Sequence, residues 1–235
     1  MKLQRFFIDP DAVLGNEVIL GDKDIISQIK NVLRLRAGDK VIFLDGTGKE
    51  YIAVIKEISN SAINCGIESL AENKNEPELK IILCQALCKK DKFEWVLQKG
   101  TEAGVSEFIP ILAERSEKFG LNRERAEKIL KESAEQSERG VVPKLHDIQK
   151  FSDYILSLSK DEDVIILDKS GKNIKHYTLT PKPYTLNVFI GPEGGWTSEE
   201  LAFAKENGAE VVSLGKTVLR TETAGLVAAS ILLNK

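Results

Sequence analysis

The chain has 235 residues, 42% of them hydrophobic and 29% charged, with a net charge of −3. That is the composition of an ordinary soluble globular protein, long enough for one large domain or two modest ones, and the charge excludes a protein that coats nucleic acid by bulk electrostatics. No apolar run reaches the roughly 20 residues of a membrane span, the first ten residues hold no signal-peptide core, and the odd three cysteines, Cys65, Cys84 and Cys88, make no disulfide framework, so a cytoplasmic protein with no membrane partner is expected.

Residues 1–70 read as mostly strand. Glu17-Val18-Ile19-Leu20 is a strand candidate, and Ile25 to Leu35 predicts a helix. Val41 to Leu44 and Tyr51 to Ile55 flank Asp45-Gly46-Thr47-Gly48-Lys49-Glu50, the pattern of a hairpin, and Ala62 to Ile67 predicts a further strand. Several short strands at close spacing suggest a small barrel. The polar stretch 71–78, with Pro77 near its end, is the expected linker.

From Leu79 onward strands and helices alternate. Strands are expected at Lys80 to Cys84, Phe108 to Leu112, Val164 to Leu167, Val188 to Ile190 and Val211 to Leu214. Helices are expected from Asp91 to Ala103, Asn122 to Arg139, Ser198 to Asn207 and from about Thr221 to the end. Short, continuously apolar strands between helices imply a mostly parallel sheet covered on both faces. The last helix is apolar nearly all round, which predicts burial inside the domain or in a subunit interface.

Two strand-to-helix corners stand out. Thr197-Ser198-Glu199-Glu200 spells a capping box, with Trp196 and Leu201 at the staple positions, so Gly191-Pro192-Glu193-Gly194-Gly195 is the loop before the helix. Its glycines allow close approach of backbone to a ligand, although an ordinary turn fits the same residues. The second corner is Leu214-Gly215-Lys216-Thr217-Val218-Leu219-Arg220-Thr221-Glu222-Thr223-Ala224.

Other chemistry is weakly signalled. There is no dinucleotide fingerprint, no nucleophile elbow and no zinc spacing around Cys84 and Cys88, so no metal is expected. Two charged clusters, one around Lys30, Arg34 and Arg36 and one at Lys89-Lys90-Asp91-Lys92, fit either a solvated surface or a phosphate contact. Residues 1–70 hold nine Lys/Arg against ten Asp/Glu, so the small domain is not basic as a whole.

Taken together, Gly191-Pro192-Glu193-Gly194-Gly195-Trp196 and Leu214-Gly215 followed by Leu219-Arg220-Thr221-Glu222-Thr223-Ala224 resemble the signature of the bacterial 16S rRNA uridine-N3 methyltransferases, the RsmE-type members of the SPOUT superfamily. The resemblance extends over the chain through Arg5-Phe6-Phe7, Val32-Leu33-Arg34, Phe43-Leu44-Asp45-Gly46, Lys92-Phe93-Glu94-Trp95 with Gln98, Lys99, Glu102 and Gly104, Glu114-Arg115-Ser116, and Glu135-Gln136-Ser137 with Arg139. Gln28 departs from it, standing where the family often has His.

The resemblance implies a PUA-like β-barrel over 1–70 that contacts rRNA, a linker over 71–78, and an α/β SPOUT fold over 79–235 with a C-terminal trefoil knot, a feature no pattern argument produces. It also implies a homodimer and S-adenosylmethionine as methyl donor. The donor loops then comprise Leu167, Gly191, Glu193, Gly194, Gly195, Leu214, Gly215, Leu219, Thr223 and Ala224. For transfer to N3 of a uridine, Arg220 and Arg139 are the candidate guanidinium groups that stabilise the uracil anion. Glu222 or Glu193 is the candidate base. Arg5, Arg34, Arg36, Lys89 and Lys92 are the candidate RNA contacts. A SPOUT enzyme acting on another RNA, and an RNA-binding protein without catalysis, are the alternatives.

Overall fold

Alternating apolar and polar side chains build the first sheet. Its strands are β1 (Gln4–Phe7), β2 (Val13–Leu14), β3 (Glu17–Leu20), β4 (Lys40–Leu44), β5 (Lys49–Ile58) and β6 (Ile63–Glu72), paired in the order β1-β4-β5-β6-β3-β2. The expected hairpin is present: β4 and β5 pair antiparallel from Lys40↔Val54 to Leu44↔Glu50. The Asp45 carboxylate closes its turn by accepting from the Thr47 N–H at 2.9 Å and the Thr47 hydroxyl at 2.6 Å. Phe6, Val18, Ile29, Phe43, Ile55 and Ile63 are buried in one core of this unit.

The helix expected over 25–35 begins earlier and changes character. Asp22 accepts from the N–H groups of Asp24 (2.8 Å) and Ile25 (3.1 Å), and this cap starts α1 (Lys23–Ser27). The backbone then widens into a π turn over Gln28–Val32, closed by the Leu33 N–H on the Gln28 carbonyl. Arg34, in the left-handed region at φ 55°, stops it.

The computed structural model describes residues 3–116, 120–159, 162–178 and 185–234. They divide into two units, Met1–Glu76 with Ala134–Val142, and Pro77–Ser133 with Pro143–Lys235. The stretch expected as a linker is tied down, because β6 runs on to Glu72 and the polar side chains beyond it find partners. Asn73 Nδ2 donates to the Glu138 carbonyl at 2.9 Å. Glu76 accepts from Arg139 Nη2 at 2.7 Å and from the N–H groups of Gly140 (3.0 Å) and Val141 (3.2 Å). The Phe7 N–H donates to the Glu135 carboxylate at 2.8 Å. Residues 134–142, expected within the larger domain, are bonded into the smaller one.

In the second unit β7 (Lys80–Ala86), β8 (Glu107–Leu112), β9 (Lys144–Leu145), β10 (Gln149–Lys150), β11 (Asp163–Asn173), β12 (Thr185–Ile190) and β13 (Glu210–Ser213) form a parallel sheet in the order β10-β8-β7-β12-β11-β13, with β9 also on β8. The helices are α2 (Lys90–Ala103), α3 (Arg123–Gln136), α4 (Phe151–Ser157), α5 (Ser198–Glu206) and α6 (Thr221–Leu233). Successive side chains of β7 point to opposite faces. Cys84 shares a core with Phe151, Ile155 and Ala204 of α4 and α5, while Leu83 and Gln85 face Gly225 of α6. The sheet is therefore covered on both sides, as its apolar strands require.

α6 is buried in part within the chain. Thr221, Gly225, Ala228, Ala229 and Leu232 are buried, but Leu226, Val227 and Ile231 are only partly so. Within the chain one face of this apolar helix is buried and the rest is partly buried. No described helix is long and apolar enough to cross a membrane.

Candidate active site

Parallel pairing brings the carboxyl ends of four strands together. Gln85 of β7 lies beside Ile190 of β12, Ile190 beside Leu167 of β11, and Leu167 beside Val212 of β13. The loops that leave these ends share one edge of the sheet, where open α/β sheets bind their ligands.

The 191–197 corner is fixed from several sides. The capping box forms as its residues dictate: the Glu200 N–H donates to Thr197 Oγ1 at 3.1 Å and the Thr197 N–H to Glu200 Oε2 at 2.9 Å. Trp196 is buried against Phe151, with ring centroids 4.7 Å apart, and its indole N–H donates to the Leu167 carbonyl at 3.1 Å. A Cβ on Gly191 would sit 3.0 Å from that indole nitrogen, a tight contact that would push the ring back from the strand end. Arg115 Nη1 donates to the Gly194 carbonyl at 2.9 Å, and the Glu114 N–H to Glu200 Oε1 at 2.9 Å.

The second corner leaves β13, turns at Gly215 (φ 128°) and enters α6 with Arg220 as its N-terminal flanking residue. The Thr221 hydroxyl donates to the Gly191 carbonyl at 2.5 Å and so joins the two corners. Beside them opens a cleft of about 630 Å³ lined by Asp91, Lys92, Trp95, Leu219, Arg220 and Glu222, with Val218 and Thr223 at its wall. Lys92 Nζ lies 3.4 Å from Glu222 Oε1, while Glu222 Oε2 is buried and has no hydrogen-bond partner. Burial, with the nearby charges of Glu193 and Glu222, pushes the Cys88 thiol up to about 12. That coupling places both carboxylates near Cys88.

The family model of an RNA methyltransferase domain matches residues 75–233, and that of an RNA methyltransferase PUA domain matches residues 22–68. The chain is similar to the ribosomal RNA small subunit methyltransferase E of Bacillus subtilis, at 34% identity over 97% of this chain and 95% of that protein. It belongs to this RNA methyltransferase family. The protein of the same name from Rickettsia conorii is 28% identical over 97% of this chain and 94% of its own length. Among solved structures, the Neisseria gonorrhoeae methyltransferase E bound to S-adenosyl methionine superposes with a TM-score of 0.92, at 29% identity over 99% of this chain and 98% of that one. A Legionella pneumophila methyltransferase in complex with the same cofactor gives 0.88, at 27% identity over 100% and 98%. The resemblance drawn from the C-terminal corners is borne out, as are the α/β methyltransferase fold and its PUA-like N-terminal domain.

Within this methyltransferase, Leu167, Gly191, Glu193, Gly194 and Gly195 fall on one corner system, and Leu214, Gly215, Leu219, Thr223 and Ala224 on the other, joined as described. Arg220 is exposed on the cleft and makes no ion pair among the described residues, and Glu222 sits two positions on. Arg139 belongs to the first unit, where it is 3% exposed and paired with Glu76. Arg5 lies 3.2 Å from Glu138 and 3.7 Å from Glu50, so its charge is already offset within the first unit. Arg34, Arg36 and Lys89 are exposed, and Lys92 is the partner of Glu222.

Sequence reasoning missed Asp91 and Trp95 as cleft residues and Gln85 and Thr221 as the groups between the corners. Trp95 carried a signal. Phe93, Val96 and Leu97 claim the buried face of α2, so helical spacing turns the indole of Trp95 outward, and it is 37% exposed.

Proposed function

We propose that the protein is an S-adenosylmethionine-dependent methyltransferase that modifies N3 of a uridine in 16S rRNA of the small ribosomal subunit. The reading rests above all on the pair of joined corners beside a cleft lined by the Arg220 guanidinium, which makes no ion pair among the described residues, and by Glu222. The names of the relatives and the cofactor in two solved relatives support it.

The corners fit such a donor. They offer backbone N–H and C=O groups from Gly191 to Gly195 and from Leu214 to Ala224, in a region that the 191–197 bonds hold rigid. When bound, the donor supplies an electrophilic methyl on sulfonium sulfur. The protein's part is positioning and charge. N3 lies on the Watson–Crick edge, so the base must be unpaired to enter the cleft. The Glu222 carboxylate, with Lys92 beside it, takes the N3 proton, and the Arg220 guanidinium stabilises the negative charge that develops on the uracil. Exposed Arg34, Arg36 and Lys89 contact phosphates, and the PUA-like unit docks on rRNA.

Two further features belong to this reading. The C-terminal strands and loops of the family fold are threaded as a trefoil knot. The molecule works as a homodimer in the cytoplasm, with the partly buried apolar side chains Leu226, Val227 and Ile231 of α6 in the contact.

The deciding experiment is a transfer assay with labelled S-adenosylmethionine on small subunits from a strain lacking the modification, with the product nucleoside identified by mass. 3-Methyluridine in 16S rRNA is expected. Label only in tRNA or 23S rRNA overturns the substrate, and RNA binding without transfer overturns the enzyme. Sedimentation at micromolar concentration tests the dimer.

A further inference from the structure

Beyond exposed Lys80, β7 is a fully buried run in which Gln85 interrupts core side chains, and Gln85 is 0% exposed. Its carboxamide nitrogen donates to Thr221 Oγ1 at 3.0 Å and, at greater length, to the Ala86 carbonyl at 3.4 Å. Thr221 passes its own proton to the Gly191 carbonyl at 2.5 Å. The polarity of this chain is fixed by its last member. A carbonyl only accepts, so the single hydroxyl proton of Thr221 must point at Gly191, and the Thr221 oxygen then needs a donor behind it. Among the described residues the amide end of Gln85 supplies one, which leaves Gln85 Oε1 turned toward α6 with no partner among them.

The rest of the fold makes room for that arrangement. A Cβ on Gly225, in the middle of buried α6, would stand 2.7 Å from Gln85 Oε1. A glycine inside a helix and an unpaired buried acceptor both cost stability. An apolar side chain at position 85 with alanine at 225 would avoid both costs, so a structural core alone gives no reason for this pair.

We propose that Gln85 is a positioning residue for methyl transfer: through Thr221 it sets the separation of the Gly191–Gly195 loop from the start of α6. The sequence Gln85 N–H to Thr221 O–H to Gly191 C=O links the ends of three elements far apart in the chain, β7, β12 and α6. Neither Gln85 nor Thr221 need touch the donor for this. The proposal rests on the reading that the donor sits between those two corners.

The test compares Gln85→Met, Thr221→Val and Thr221→Ser with the wild type. Donor affinity is measured by calorimetry with S-adenosylmethionine, and amide exchange of residues 191–195 and 221–224 is measured in the free protein. Met removes the donor group at similar volume, Val removes the hydroxyl, and Ser keeps it. Gln85→Met and Thr221→Val should each weaken donor binding about tenfold and speed exchange in both segments. Thr221→Ser should bind as the wild type does. The double variant Gln85→Met/Thr221→Val should be no weaker than the worse single, because both belong to one chain of bonds. Wild-type affinity and exchange in the two single variants overturn the proposal, even if their melting temperatures fall. So does a double variant whose losses multiply. A wild type that binds no donor overturns the donor reading instead, and the exchange measurement still decides the role of Gln85.

Discussion

Two arginines, Arg139 and Arg220, offer the same guanidinium and have opposite surroundings. Arg139 is buried, and its fork is closed on Glu76, whose carboxylate also takes the N–H groups of Gly140 and Val141. Arg220 is exposed, flanks the start of α6 and looks onto a cleft whose buried carboxylate oxygen also lacks a partner. A charge whose hydrogen bonds are already satisfied has nothing left to give a reacting base. A charge with open donors beside a cavity has a good deal. The comparison assigns Arg139 to the architecture of the first unit and leaves Arg220 as the candidate for chemistry.

The largest effect should break this comparison or confirm it. Arg220→Ala is expected to lower the rate of methyl transfer by about 10² to 10³, the usual cost of a lost transition-state donor, with the melting temperature and RNA affinity kept. If Arg139→Ala gives the same loss in folded protein, the assignment is wrong. Arg139→Ala is instead expected to destabilise the first unit by about 3 kcal/mol, since it leaves Glu76 without its buried partner, and urea unfolding measures this. A milder perturbation of the second region is Thr197→Ala, which removes the cap of α5. It should cost about 1 kcal/mol by the same measurement and leave Arg139 and its surroundings untouched.

The smallest effect concerns the thiol near the cleft. Burial, then Glu193 and Glu222, hold Cys88 up near 12, burial alone holds Cys65 up near 11, and burial raises Cys84 well above its usual value. The reactive thiolate is therefore scarce for all three at pH 8. A thiol reagent should label the native protein only as it unfolds.

Much of this was legible in local sequence. The capping box named the start of α5 to the residue, because both partners lie within one turn. The apolar runs named β7, β8, β12 and β13, because strands buried on both faces have no polar alternation to hide. The joined corners were legible as two glycine loops, and the family signature supplied the purpose proposed for them. What could not be read was carried by pairs distant along the chain. Glu76 and Arg139 are 63 positions apart, and Gln85 and Thr221 are 136. Nothing in the residues around Arg139 distinguishes it from a free surface arginine. α4 escaped notice because it is seven residues long and buries only Phe151 and Ile155, too few to establish a period.

The first unit is made of two pieces of chain, and this limits how the gene can be cut. A fragment ending at Glu76 would keep every strand of the sheet and lose the Glu135 carboxylate that the Phe7 N–H requires, along with Arg139 opposite Glu76. A chimera that exchanges the first unit between relatives therefore needs three junctions, one near Pro77 and a pair flanking 134–142. A single-junction swap would join mismatched halves of one core.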